Sequence, residues 1–262
     1  MLMMFLTGDT HGLLEIEKLR ANNFPLGESL TRDDLVVVLG DFGLLWNDPP
    51  RRDELRALEE LEASPWTTLF VDGNHENFRL LRALPEEERF GAPVGVISPH
   101  VLHLRRGYVY ILGGKRCFVF GGARSVDRHR RTAGKSWWPE EIPSAAEYRR
   151  GLDSLEAESW KVDWILTHTA PNHILRALDL YKFLAGDPVS TYLDEIYREV
   201  AYEKWFCGHL HRNKVFRDDR IVVLRENIVD GRTGEIVSIR RDRTPLRDRV
   251  RALARLRPLE GD

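Results

Sequence analysis

The chain has 262 residues, of which 42% are hydrophobic and 31% charged, and a formal net charge of −2. That length suits one large domain or two small ones, and the composition is that of an ordinary globular protein. The near-neutral balance excludes a global field that would announce a nucleic-acid or membrane partner.

In chain order, residues 3–7 read as a first strand that runs straight into Gly8-Asp9. This apolar start lacks the basic flank of a secretion signal. Residues 13–22 have a helical pattern. The continuous apolar run at 35–39 suits a strand buried on both faces. Residues 51–62 form an amphipathic helix with Leu55, Leu58 and Leu61 on one side. A further buried strand follows at 67–71, then a short helix at 77–84. The pattern changes to short alternating strands at 101–104, 108–112 and 116–121, with Gly113-Gly114 as a hairpin turn signal. Residues 125–138 lack periodicity and read as a long surface loop. Helices are expected at 144–159, 172–180 and 190–203, and strands at 162–166 and 205–207. Residues 215–216 and 221–224 read as a hairpin, and 236–239 as a last strand. No apolar run approaches the ~18 residues needed to span a bilayer, so the expected location is cytoplasmic, with no membrane partner. Cys117 and Cys207 lie in apolar runs as isolated thiols, without a zinc or redox spacing. The reading is a mixed α/β domain over 1–239 with two packed sheets. A basic tail over 240–262 carries Leu246, Val250, Leu253 and Leu256 at helical spacing and is expected to dock as a peripheral helix.

The polar residues fall in five blocks, each directly after an expected strand: Gly8-Asp9-Thr10-His11-Gly12, Gly40-Asp41-Phe42-Gly43, Asp72-Gly73-Asn74-His75-Glu76, Thr167-His168-Thr169 and Gly208-His209-Leu210-His211. Sites in open α/β sheets form outside the carboxyl ends of the strands. Five such ends with Asp, Asn and His can therefore converge. Carboxylate, imidazole and amide oxygen without thiolate suit Mn²⁺, Fe²⁺ or Zn²⁺. Six or seven ligands are too many for one tetrahedral zinc and fit two ions sharing a carboxylate.

Together these blocks resemble the motif set of the calcineurin-like metallophosphoesterases over roughly residues 5–230. The resemblance implies a four-layer α/β/β/α sandwich, two mixed β-sheets flanked by helices. It implies that Asp9, His11 and His211 hold one metal ion, that Asn74, His168 and His209 hold a second, and that Asp41 bridges both. His75 would not be a ligand; it would act beside the leaving group as a proton donor. The implied activity is hydrolysis of phosphate mono- or diesters by a bridging hydroxide held between two divalent ions, manganese first, with iron or zinc as alternatives. The implied partner is a phosphoester small molecule or a nucleotide, with nucleic acid open. The protein Ser/Thr phosphatases of the superfamily read GDxVDRG in the second block and place Arg before GNHE. Here the second block is Gly40-Asp41-Phe42-Gly43-Leu44-Leu45-Trp46, so the Asp that orients the catalytic His there is absent. Asp72, Asp48 or a backbone carbonyl is left to replace it. The chain is more similar to a bacterial and phage group with GDTHG, GDFGLLW and GNHENF blocks. Members of the fold that serve as non-catalytic scaffolds usually drop ligands, and none is dropped here. For the substrate, Arg124 is a candidate phosphate grip, and Trp46 and Trp137 are candidate stacking partners. The cationic loop with Arg124, Arg128, Arg130, Arg131 and Lys135 is a candidate anion collector.

Overall fold

Strict alternation along short buried strands builds two sheets that share one core. The computed structural model describes residues 2–238; the expected tail helix over 240–262 lies outside the described residues. The first sheet holds seven strands: β1 (Met4–Thr7), β2 (Leu35–Leu39), β3 (Thr67–Val71), β4 (Glu86–Arg89), β5 (Ala92–Ser98), β6 (Val101–Leu104) and β13 (Ile228–Asp230), in the order β13-β1-β2-β3-β6-β5-β4. The second holds six: β7 (Tyr108–Leu112), β8 (Lys115–Phe120), β9 (Trp164–Thr167), β10 (Lys204–Cys207), β11 (Lys214–Phe216) and β12 (Ile221–Val223), in the order β11-β12-β10-β9-β8-β7.

Successive strand residues point to opposite faces, and the sequence uses both. Met4, Leu6, Leu35, Val37, Leu69 and Val71 of the first sheet meet Cys117, Val119, Trp164, Leu166 and Phe206 of the second in the central core. The intervening Phe5, Val36, Val38 and Phe70 face outward and are covered by α1 (Arg52–Ala63) and α2 (Phe78–Arg82) with the irregular segments around them. On the other side Phe118, Phe120, Ile165, Trp205 and Cys207 are covered by α3 (Ala145–Ala157), α4 (Asn172–Ala177), α5 (Tyr181–Leu184) and α6 (Pro188–Glu199). The result is helices, sheet, sheet, helices: the α/β four-layer arrangement that the resemblance implied. Both cysteines are buried and free. Among the described residues no helix is long and apolar enough to cross a membrane.

Several elements differ from expectation for identifiable reasons. Residues 13–22 form two short 3-10 segments, Gly12–Leu14 and Ile16–Leu19, because the region is tied down locally. Lys18 Nζ donates to the carbonyls of Gly8 (2.8 Å), Asp9 (2.6 Å) and Arg225 (2.8 Å). In α1 the inward stripe is Glu54, Ala57 and Leu61, while Leu55 is 45% exposed. Strand β4 reads Glu-Glu-Glu-Arg, fully exposed, and is held by backbone pairing to β5 rather than by an apolar face. Among the described residues the last strand is β13, antiparallel to β1. The expected strand at 236–239 reduces, within the described residues, to a bridge between Ile236 and Val229.

Candidate metal centre

Strands β1, β2 and β3 run parallel to one another, and so do β8, β9 and β10. Their carboxyl ends therefore open on common edges, and the five polar blocks leave from five of these ends. The turns are sharp. His11, Asp41, His209 and His211 all have positive φ, between 45° and 60°. Non-glycine residues rarely adopt this left-handed conformation, which costs on the order of 1 kcal/mol or more each. Four such residues at one rim mark a place where the fold spends stability on side-chain direction.

The side chains meet in three overlapping groups: Asp9, His11 and His211; His11, Asp41 and His75; and Asp41, His168 and His209. Within each group the potential ligand atoms lie within 4.8 Å of one another. Asn74 joins the third group, its Oδ1 standing 3.1 Å from His168 Nε2. Asp41 belongs to two groups, with Oδ2 at 3.2 Å from His11 Nε2 and Oδ1 at 3.3 Å from His168 Nε2. Asp9 Oδ2 stands 3.2 Å from His211 Nε2. The buried atoms Asp9 Oδ2, Asp41 Oδ2 and His209 Nε2 have no hydrogen-bond partner of good geometry. Buried polar atoms are almost always satisfied. Carboxylate oxygens and ring nitrogens that converge without satisfying each other are a donor set suited to divalent cations.

The surroundings aim these atoms. His168 Nδ1 bonds the carbonyl of Leu39 at 2.9 Å, which assigns the proton to Nδ1 and turns the Nε2 lone pair to the site. Asp41 Oδ1 accepts the His75 N–H at 2.7 Å, and Asp9 Oδ1 accepts the His209 N–H at 2.8 Å. Asn74 Nδ2 donates to Ser125 Oγ at 3.0 Å, and Ser125 Oγ donates to Glu141 Oε2 at 2.5 Å. That relay fixes which end of the Asn74 amide faces inward. Ser125→Ala should loosen it and weaken metal binding by roughly tenfold, read as a rightward shift in a manganese titration with no change in stoichiometry. Close packing forces glycine at the turns: a Cβ on Gly73 would lie 2.0 Å from Asp41 Oδ1, and one on Gly40 would lie 1.9 Å from His168 Nδ1. Gly73→Ala should cost about 2 kcal/mol of stability by overpacking, seen as a lower midpoint in urea.

Burial sets the electrostatics, and the neighbours decide its sign. Burial raises the Asp9 carboxyl, but the nearby His211 ring and the His168 charge outweigh it, and the net shift is well downward. Asp41 behaves alike: burial opposes ionisation, the His168 and His75 charges outweigh it, and its pKa falls far below the carboxylate range. Burial lowers His11, yet the neighbouring Asp41 and Glu15 carboxylates carry the net value up to about 10. His209, by contrast, is pushed down to about 3 by burial and the His168 charge.

A family model for calcineurin-like phosphoesterases matches residues 4–213. The chain belongs to that family. It is also similar to a lariat debranching enzyme of Schizosaccharomyces pombe, 26% identical over 230 residues, covering 78% of this chain and 47% of that enzyme. The chain thus spans about half the length of this relative. Among solved structures, a phosphopantetheinyl hydrolase from Mycobacterium tuberculosis aligns with a TM-score of 0.45 at 16% identity, covering 93% of this chain and 98% of that one.

In this phosphoesterase a cleft of about 390 Å³ opens beside the centre, lined among others by His11, His75, Leu13, Trp46, Arg51 and Arg131. All eight residues expected at the centre are brought together there, and Trp46 lines the cleft. Arg124 and Trp137 do not line it. Arg124 reaches away, donating to the carbonyls of Ala185 (2.6 Å) and Gly186 (3.3 Å), so it anchors one loop to another. Trp137 sits in the turn where Gly134 N–H bonds its carbonyl. Its neighbour Trp138 is buried edge-on against Trp46, with ring centroids 5.3 Å apart. Of the cationic loop, Arg131 is the residue that reaches the cleft. The carboxylates considered as partners for His75 are engaged elsewhere: Asp72 with Arg106 and His103, Asp48 with Arg79. Burial holds the His75 imidazole below its usual value; the Asp41 and Asp127 charges act against that shift, and the His11 and Arg131 charges act with it.

Sequence reasoning did not single out Ser125, Glu141 or Glu76 for the site. Glu76 takes the N–H groups of Phe42 (2.7 Å), Gly43 (3.1 Å) and Gly73 (3.3 Å), and so holds the Asp41 turn against the Asn74 turn. Its carboxyl is pushed up to about 8 by burial and the nearby Asp41 charge. The GNHE block already contained it, but nothing in a string of residues says that its oxygens bind backbone.

Proposed function

We propose that the chain hydrolyses phosphate mono- or diesters with two divalent metal ions. Asp9, His11 and His211 hold one ion, Asn74, His168 and His209 hold the other, and Asp41 serves both. The observation that carries this reading is the convergence of Asp9 Oδ2, Asp41 Oδ2 and His209 Nε2, buried and without hydrogen-bond partners, on one rim. The donor set is hard to borderline and lacks sulfur, which favours Mn²⁺, with Fe²⁺ or Zn²⁺ able to compete. When bound, such a pair supplies Lewis acidity and a hydroxide nucleophile at neutral pH.

The chain's own groups do the rest. Asp41 and Asp9 each use one oxygen to hold a backbone N–H and leave the other toward the site. His168 is fixed in orientation by Leu39 and the Asn74 amide by Ser125. His75 lines the cleft with its ring centroid 5.4 Å from that of His11. From there it protonates the departing oxygen of the ester.

The test is hydrolysis of p-nitrophenyl phosphate and of its bis ester. Chelator-treated protein should be inactive, regain activity with Mn²⁺, and bind close to two ions per chain. Retention of full activity with no bound metal would sink the reading. The likeness to a lariat debranching enzyme favours a second reading, in which the ester belongs to a nucleic acid. Salt-dependent binding of an oligonucleotide, steep between low and moderate salt, would support it.

A further inference from the structure

The cleft beside the centre has a shape and chemistry that the metal site alone does not require. Its inner end is His11 and His75, and its walls are Leu13, Leu14 and Trp46. The volume of about 390 Å³ falls in the roughly 300–1,000 Å³ range of small-molecule sites. Trp46 is held on three sides. Its backbone N–H donates to Glu54 Oε1 at 3.3 Å, its backbone carbonyl accepts from Asn77 Nδ2 at 2.7 Å, and its ring meets Trp138 edge-on at 86°. A fixed indole beside two leucines is a ready platform for a flat ring.

Arg131 closes the cleft from the opposite loop. Asp127 Oδ1 accepts its Nε–H at 2.8 Å and the Ser136 carbonyl accepts its Nη1–H at 3.1 Å. Among the described residues its Nη2 makes no hydrogen bond, so one edge of the guanidinium stays available to an anion. A guanidinium held by two bonds in the same cleft as an indole fits a ligand that is flat and apolar at one part and anionic at another.

We infer that the leaving group of the ester is a nucleoside: its base lies against Trp46, and Arg131 steadies a phosphate oxygen. This rests on the hydrolase reading above and names its substrate class. In the step, water adds to phosphorus, the bond from phosphorus to the nucleoside oxygen breaks, and the proton passes to that oxygen. A glycerol or acyl-chain leaving group presents no flat aromatic ring to Trp46, so the base is the part of the ester that this wall would select.

The experiment uses the full chain loaded with Mn²⁺ and two pairs of esters with matched alkoxide leaving groups. The monoester pair is adenosine 5′-monophosphate and glycerol 3-phosphate; the diester pair is adenylyl adenosine and glycerophosphoglycerol. In at least one pair the nucleoside member should lead in kcat/KM by about tenfold or more, since a base–aromatic stack is of that order. Trp46→Leu, which keeps packing against Trp138, should pull that ratio toward unity, whereas Arg131→Ala, which removes a contact to the phosphate that both members carry, should lower kcat/KM of both members alike. Equal kcat/KM within both pairs, or a preference untouched by Trp46→Leu, overturns the inference and leaves the hydrolase reading standing. A second arm measures adenosine 5′-monophosphate binding to the metal-free chain by saturation-transfer NMR. Base signals that vanish in Trp46→Leu support the inference even where hydrolysis of every ester fails, and their absence in the parent chain overturns it.

Discussion

Replacing Asp41 with asparagine is expected to lower kcat/KM by about 1000-fold or more and to reduce bound metal from two ions toward one. The carboxylate is buried, and its two oxygens have separate duties. Oδ1 takes the His75 N–H at 2.7 Å, a bond that an amide oxygen can still accept. Oδ2 has no hydrogen-bond partner and stands among His11 and the rim nitrogens. Asparagine therefore keeps the turn and removes the charge and the second ligand oxygen. The backbone at Asp41 is left-handed, φ 47°, which asparagine tolerates better than most residues. For these reasons the substitution should leave the fold intact and act on the centre. Metal content by elemental analysis and kcat/KM on p-nitrophenyl phosphate check it together. Unchanged values for both would mean that Asp41 does not serve two ions.

The contrast between what the sequence disclosed and what it hid has a physical basis. The candidate ligands are legible because five strand ends in succession carry Asp, Asn or His, and because parallel strands deliver consecutive ends to one edge. The buried strands were legible for a similar reason: Leu35-Val-Val-Val-Leu39 has no polar face to offer solvent. Strand β4 was not, because Glu86–Arg89 carries no apolar side and exists through its backbone bonds to β5. The supports were hidden too. Ser125 lies 51 residues from Asn74, and Glu141 lies 16 further on. Such pairs are made by topology, here the return of β8 to the rim, and leave no local spacing. Arg124 misled because a cation after two glycines looks aimed at an anion, whereas two carbonyls of the 185–186 turn take it. Arg131 was one of five basic residues in its loop, and its bonds to Asp127 and the Ser136 carbonyl, which no local spacing announces, distinguish it.

His75→Ala is expected to separate metal binding from catalysis. The side chain lines the cleft, and its backbone N–H rather than its ring makes the bond to Asp41. Alanine keeps that bond, so metal stoichiometry should stay near the parent value. Loss of a proton donor matters in proportion to how badly the departing oxygen needs a proton. With an alkyl ester, whose alkoxide is a poor leaving group, kcat should fall by about 10²–10⁴-fold. With p-nitrophenyl phosphate, whose phenolate leaves unaided, the fall should be about tenfold or less. A purely structural role would lower both rates equally, and a ligand role would lower the metal content as well. The ratio of the two losses thus identifies what His75 does. A uniform loss across both leaving groups would remove it as the proton donor and leave Asp127 and Arg131, two further charges that act on His75 besides Asp41 and His11, as the groups to examine next.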